Sequence, residues 1–146
     1  MMDEQSTLQV RVCLRSQSVW LMPYTTRELE DLLKRMLSTL HQCGYAQKGI
    51  ELSLVNDGEI ADANAVYMHC TGPTNILSFP GGSDLAGNLI LSLETMAREC
   101  LLYGQSPREH MLRLLAHGTA HLAGLEHGKE HQRLQNRLIA AADGRS

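Results

Sequence analysis

The sequence predicts a single-domain α/β (or α+β) protein with a small mixed sheet of four strands packed with about five helices. Three observations predict this class. Short segments with alternating or continuous apolar residues lie between longer segments whose leucines have helical spacing. Helix-start patterns and glycines mark the ends of the longer segments. Strands and helices also alternate along the chain, as expected for a sheet covered by helices.

The first two elements are a strand and a helix. Apolar residues alternate with more polar ones over Leu8–Leu14, the period of a half-buried strand. Thr25–Glu28 has the spacing of a capping box, in which two side chains satisfy backbone N–H groups at a helix start. Leucines and a methionine follow at helical spacing as far as Gly44, so we expect this stripe to pack into the core.

The central part of the chain supplies three more strands. Ile50–Val55 alternates, and a helix over about residues 59–67 follows it. Asn75–Pro80 has the pattern of a short strand ended by proline. Asn88–Ser92 is nearly all apolar in its middle, which favours a central position in the sheet.

Three helices complete the prediction. One covers about Leu93–Leu102, and the last covers about Glu130–Ala142. Between them, Ser106–Glu109 is the strongest helix start in the chain, because it combines a Ser cap, Pro in the first turn and Glu at the third position. The helix that it opens carries His117 and His121.

Composition argues against a strongly basic nucleic-acid-binding protein, a disulfide-rich secreted protein and a membrane-spanning protein. The chain has 146 residues, 43% of them hydrophobic, and a formal charge of −3, which gives no global nucleic-acid signature. Its four cysteines form no CxxC pair, so we expect free thiols in a reducing compartment. With neither a secretory signal nor a long apolar run, we expect a cytoplasmic location.

The most informative stretch is His117–His127. His117 and His121 are four residues apart, so both imidazoles project from one face of a helix. Gly124 permits the helix to end and the chain to turn, which can bring His127 back toward the other two. Three neutral imidazoles around one point predict a three-ligand zinc site with its fourth position open. His131 does not fit this spacing and is predicted to be a polar residue of the last helix, while His110 is a weak candidate for a supporting role.

The spacing of the three histidines matches the metal frame of metzincin proteases, but one position differs. Those proteases have Glu directly after the first His as the general base, and this chain has Gly118. Glu126, beside the third His, is the tentative alternative, either as a base or as a group that orients an imidazole.

Two blocks together resemble the YbeY family, bacterial single-domain metal-dependent endoribonucleases. They are Pro73–Pro80, with Asn64–Tyr67 shortly before it, and His117–His127. The resemblance implies zinc ligands at His117, His121 and His127, with catalysis through the metal, in one domain over residues 1–146. It also implies an endoribonuclease specific for single-stranded RNA, which matures the 3′ end of 16S rRNA and serves ribosome quality control. RNA and the small ribosomal subunit are the implied partners, with no membrane or DNA. Zinc would activate water or polarise a phosphate oxygen.

Three positions depart from the family pattern. Met68 stands where the family usually has an arginine implicated in catalysis, and methionine offers no bidentate contact to phosphate. Asn88 and Glu126 each replace a usual Asp. Two alternatives therefore stay open. One is a zinc-stabilised ribosome-associated module with weak or no nuclease activity, and the other is a metallopeptidase-like hydrolase.

Overall fold

The computed structural model describes residues 9–81 and 86–143. Within these ranges the order of elements is β1 (Gln9–Leu14), α1 (Thr26–Gln42), β2 (Gly49–Val55), α2 (Asp57–Met68), β3 (Ile76–Phe79), β4 (Gly87–Ser92), α3 (Leu93–Tyr103), α4 (Pro107–Leu122) and α5 (Lys129–Ala142). A short 3-10 turn at Val19–Leu21 precedes α1. The predicted four strands and five helices are confirmed, with ends that differ by one or two residues. Leu8, the first residue of the predicted first strand, lies outside the described ranges.

The sheet is mixed, as predicted, with the strand order β1-β2-β4-β3. β1 and β4 both pair parallel to β2, whereas β3 pairs antiparallel to β4. The central position predicted for the fourth strand is confirmed. Leu89 and Leu91 of β4 are fully buried, as are Ile50 and Leu52 of β2, which explains the continuous apolar character of these segments.

Helix caps hold the helices where the sequence places them. The Thr25 hydroxyl accepts a hydrogen bond from the Glu28 backbone N–H at 3.1 Å, and the Glu28 carboxylate accepts one from the Thr25 N–H at 2.9 Å. At the start of α4, the Ser106 hydroxyl accepts from the Glu109 N–H at 3.4 Å. These contacts satisfy N–H groups that have no partner inside the helix. The apolar stripe of α1 is buried in the main core, as predicted.

A polar network joins α2 to the end of β4 and to α3. The Asp57 carboxylate accepts hydrogen bonds from the hydroxyls of Ser92 (2.8 Å) and Thr95 (2.6 Å) and pairs with the Arg98 guanidinium (2.7 Å). Burial raises the pKa of Asp57, but the hydrogen bonds from Arg98, Thr95 and Ser92 outweigh it, so the pKa lies below its ordinary value. This network positions α2, which ends at Met68.

We expect Asp57→Asn to lower the free energy of unfolding by about 1–3 kcal/mol, because a charged acceptor of three hydrogen bonds is lost. The pKa of Asp57 is lower in the folded state than in the unfolded state. Its contribution to the stability of the fold is therefore fully present at a pH above the unfolded-state pKa, and it is lost as the pH falls through the folded-state pKa. Urea unfolding at pH 7 and at pH 3 measures both effects. The matched control is Asp62→Asn, which changes an exposed Asp of the same helix. Equal stability of Asp57→Asn and wild type at pH 7 would contradict the assigned role.

Candidate metal centre

Four histidines meet where α4 turns into α5. His117 and His121 lie on the last two turns of α4, and His127 lies in the connection that follows. Gly124 starts this connection with a φ of 89°, a left-handed conformation that glycine adopts without a steric penalty. His131 is on the buried face of α5 with only 3% of its surface exposed. The turn therefore returns the chain so that α5 packs against α4 and places its histidine beside the other three.

The imidazoles of this cluster are in mutual contact. The His117 and His121 ring centres are 4.7 Å apart. The His127 ring centre lies 5.3 Å from that of His117 and 5.0 Å from that of His121. The corresponding distances for His131 are 4.6 and 4.3 Å. One ring nitrogen from each of His117, His121 and His131 can be chosen so that all three lie within 4.8 Å of one another.

Hydrogen bonds set the tautomers of His117 and His121. The Nδ1–H of His117 donates to Oε1 of Gln135 at 2.9 Å, and the Nδ1–H of His121 donates to the Leu125 carbonyl oxygen at 2.8 Å. In a neutral imidazole only one nitrogen carries hydrogen, so both Nε2 atoms then have free lone pairs. Metal-binding histidines are oriented by the same kind of contact at the nitrogen that does not bind the metal.

The two free Nε2 atoms face each other at 3.2 Å. Two lone pairs at this distance repel unless a cation or a proton lies between them. Nitrogens that bind one tetrahedral zinc ion at its usual bond length are about 3.3 Å apart. The residues therefore fit a metal ion, and the separation is the one that a shared ion requires.

Burial favours the metal-binding form of two histidines of the cluster. Desolvation is the main cause that lowers the pKa of His117 below its ordinary value, against the opposing hydrogen bond to Gln135, and the neighbouring His121 and His127 lower it further. The pKa of His131 is lowered for the same main reason, against its own hydrogen bond to the His117 backbone. Neutral imidazoles at neutral pH are the form that a metal ion needs.

A cavity of about 640 Å³ opens onto one side of the cluster. His117, His121 and His127 line it together with Glu126, and Met68 from the end of α2 lies on its wall. Further lining residues come from β3 and its ends, namely Asn75, Ile76, Leu77, Ser78 and Pro80. Among the described residues, no lysine or arginine lines this cavity.

Gly118 marks a close contact between α4 and the sheet. A Cβ atom at this position would lie 2.9 Å from Ile76 Cδ1, 2.9 Å from Leu89 Cδ2 and 3.0 Å from Ser78 Oγ. A side chain as large as Glu has no room there. The protease base that the sequence lacks is thus excluded by the packing of α4 on β3 and β4.

The outcome of the predicted site is mixed. His117 and His121 meet as predicted, and His127 and Glu126 line the same cavity, but a role for these two as ligand or base remains a prediction. The prediction for His131 is wrong, since it is buried inside the cluster. His110 lies elsewhere, where its Nε2 contacts the Glu99 carboxylate at 3.0 Å.

Comparison with known proteins identifies the family of this chain. The family model of endoribonuclease YbeY matches residues 16–139. The chain belongs to this family. The endoribonuclease YbeY of Lawsonia intracellularis is 41% identical, over 88% of this chain and 93% of its own. That of Nitratidesulfovibrio vulgaris is 36% identical, over 86% and 90%.

A solved structure supports the fold alone. The solution structure of a Thermotoga maritima protein matches with a TM-score of 0.61 and 21% identity, covering 92% of this chain and 89% of its own. Membership of the YbeY family confirms the resemblance seen in the two sequence blocks.

Sequence reasoning missed two residues of the site, His131 and Gln135. The signal that could have found them is their position on α5. The helical stripe that buries Leu134 and Leu138 also places His131 and Gln135 on the core side, because they are four residues apart. Polar side chains at core positions require partners, and theirs are the backbone and the ring of His117.

We expect Gly118→Val to lower the free energy of unfolding by about 1–3 kcal/mol, because its side chain overpacks the contact with Ile76 and Leu89. Gly118→Ala should lower the free energy of unfolding by less than Gly118→Val does. Alanine gains about 1 kcal/mol of helix propensity over glycine, and its Cβ would meet the ends of side chains rather than backbone. Chemical denaturation of the metal-free protein measures both. A Val variant as stable as wild type would contradict the packing described for α4.

Proposed function

We propose that this protein is a zinc-dependent endoribonuclease that cleaves single-stranded RNA in the maturation of ribosomal RNA. Its relatives in Lawsonia intracellularis and Nitratidesulfovibrio vulgaris are named endoribonuclease YbeY, and the match to this chain covers nearly the whole length of each. The structural observation that carries the proposal is the pair of lone-pair nitrogens of His117 and His121, 3.2 Å apart at the floor of an open cavity.

Zinc is the metal that this donor set favours. Neutral imidazoles bind several divalent transition metals, and zinc accepts a tetrahedral arrangement without preference from its d electrons. We assign His117, His121 and His127 as the ligands that face the cavity. When bound, zinc supplies positive charge for a phosphate oxygen and lowers the pKa of water to about 7.

The protein's own residues contribute orientation. Gln135 and the Leu125 carbonyl fix the His117 and His121 rings, so neither ring must reorganise when a metal or substrate arrives. Glu126 lies at the cavity wall and is the carboxylate available to accept a proton there. Strand β3 also contributes Ile76, Leu77 and Ser78 to the cavity wall.

We further propose that the substrate is ribosomal RNA, at the 3′ end of 16S rRNA, that the partner is the small ribosomal subunit and that the location is cytoplasmic. Within residues 9–81 and 86–143, none of the helices combines the length and the apolar character that a membrane span requires.

A second candidate function is a zinc-stabilised ribosome-associated module with little or no nuclease activity. Met68 favours it, because a methionine on the cavity wall offers no charge to a phosphodiester. A metallopeptidase is disfavoured, because Gly118 has no room for the Glu that such an enzyme uses as its base.

We expect metal analysis of the purified protein to find close to one zinc ion per chain. His117→Ala and His121→Ala should each lower this content and the Tm of the zinc-loaded protein, because metal binding energy contributes to folding stability. His69→Asn is the control, since His69 is exposed, lies outside the cluster and has a left-handed conformation that Asn tolerates. Wild-type zinc content in both Ala variants would overturn the metal assignment.

We expect the zinc-loaded protein to cleave single-stranded RNA and to leave casein intact. Met68→Arg should increase RNA cleavage by about 100-fold, because a guanidinium on the cavity wall stabilises charge on phosphate. Met68→Lys should give a smaller gain, since an ammonium group lacks the planar fork of arginine.

Val66→Arg adds the same charge to an exposed position of α2 that does not line the cavity, and it controls for general attraction of RNA. His121→Ala controls for contaminating nuclease, and equal cleavage by it and wild type would refute the proposed enzyme. If Met68→Arg cleaves RNA and the wild-type protein does not, the second candidate function, a ribosome-associated module without nuclease activity, is the correct one.

A further inference from the structure

His131 occupies a position that the three-histidine site does not explain. Its ring centre lies 4.6 Å from that of His117, 4.3 Å from that of His121 and 5.7 Å from that of His127. It is buried and does not line the cavity, whereas His127 is exposed and does. The two rings therefore lie beside the His117–His121 pair with different access to solvent.

The hydrogen bonding of His131 leaves it one lone pair. Its Nε2 lies 3.1 Å from the backbone carbonyl oxygen of His117, which can only accept, so Nε2 carries the hydrogen. In the neutral ring, Nδ1 then has a free lone pair. This is the same division of roles seen in His117 and His121, where one nitrogen is held by the protein and the other is free to bind a metal.

The four rings together have the spacing of a tetrahedral site. Imidazoles bound to one tetrahedral zinc ion have ring centres about 5 Å apart. The six centre-to-centre distances among the four histidines run from 4.3 to 5.7 Å. Packed aromatic rings also lie at such distances, so the observation specific to a metal site is this spacing together with a free Nδ1 lone pair on a buried ring.

We propose that His131 is a fourth metal ligand, which completes a four-imidazole site with His117, His121 and His127. This inference rests on the proposed metal site and extends its ligand set. A site with four protein ligands holds its ion more tightly than one with three and leaves no position for water at rest. With four imidazoles holding the ion, water or RNA would reach it only if the site made room for a further group, and His127 is the exposed histidine on the cavity side.

The test compares His131→Asn with wild type in metal binding, without RNA. Asparagine keeps a polar side chain but removes both ring nitrogens, and with them the proposed ligand atom. We expect the zinc affinity, measured by competition with a chromophoric chelator, to fall at least about tenfold. The visible absorption of the Co²⁺-substituted protein should change, and added azide should alter the spectrum of His131→Asn but not that of wild type.

His69→Asn is again the matched control and should retain wild-type affinity and spectrum. Wild-type zinc affinity together with an unchanged Co²⁺ spectrum in His131→Asn would overturn the inference and leave His131 with the role of joining α5 to α4.

A measurement on the wild-type protein covers the case in which the variant does not fold. On addition of one equivalent of zinc, long-range ¹H–¹⁵N NMR of histidine-labelled protein should show the free nitrogen of His131 shift together with those of His117 and His121. A His131 nitrogen that keeps its unbound shift would refute the fourth ligand. Failure of RNA cleavage would refute the proposed enzyme but not these binding results, so the two failures are distinguishable.

Discussion

The position of His117 depends on contacts to α5 at both its backbone and its ring. Its carbonyl oxygen accepts a hydrogen bond from His131, and its Nδ1–H donates to Gln135 one turn further along α5. On the other side of α4, the next residue is Gly118, whose missing side chain lets the helix lie directly on β3 and β4. α4 is thus fixed from two directions at adjacent residues, and the imidazoles at its end have little freedom to move.

This constraint determines what the site can do electrostatically. Burial favours the neutral form of His117, and the hydrogen bonds of His117 and His121 fix their tautomers, so these two rings present lone pairs to the cavity. No lysine or arginine among the described residues lines the cavity, and Glu126 adds a negative charge at its edge. Attraction of a phosphodiester at this surface must therefore come from a bound cation, which makes the metal the dominant electrostatic element of the proposed chemistry.

Most of the fold could be predicted from short sequence patterns, because helix caps and apolar periodicity depend only on residues close together in the chain. The capping box at Thr25 and the Ser106 cap place two helix starts, and the apolar run in β4 indicates its central place in the sheet. The pair His117 and His121 follows from helix geometry alone. The contacts of Asp57 with Ser92, Thr95 and Arg98 could not be predicted in the same way, since they join residues 35 to 41 positions apart. The placement of His131 depends on how the turn after Gly124 directs α5, which no spacing rule specifies.

The four histidines are not equivalent in how they are held, and this difference bears on function. His117, His121 and His131 each have one nitrogen engaged by a hydrogen bond, and they belong to helices that the core holds in place. His127 is exposed and lies in the connection between α4 and α5. A change in metal coordination costs least at the ligand with the fewest supporting contacts. His127 lines the cavity together with His117 and His121 and is the exposed one of the three, so ligand exchange at His127 would open the proposed site on the side from which substrate enters.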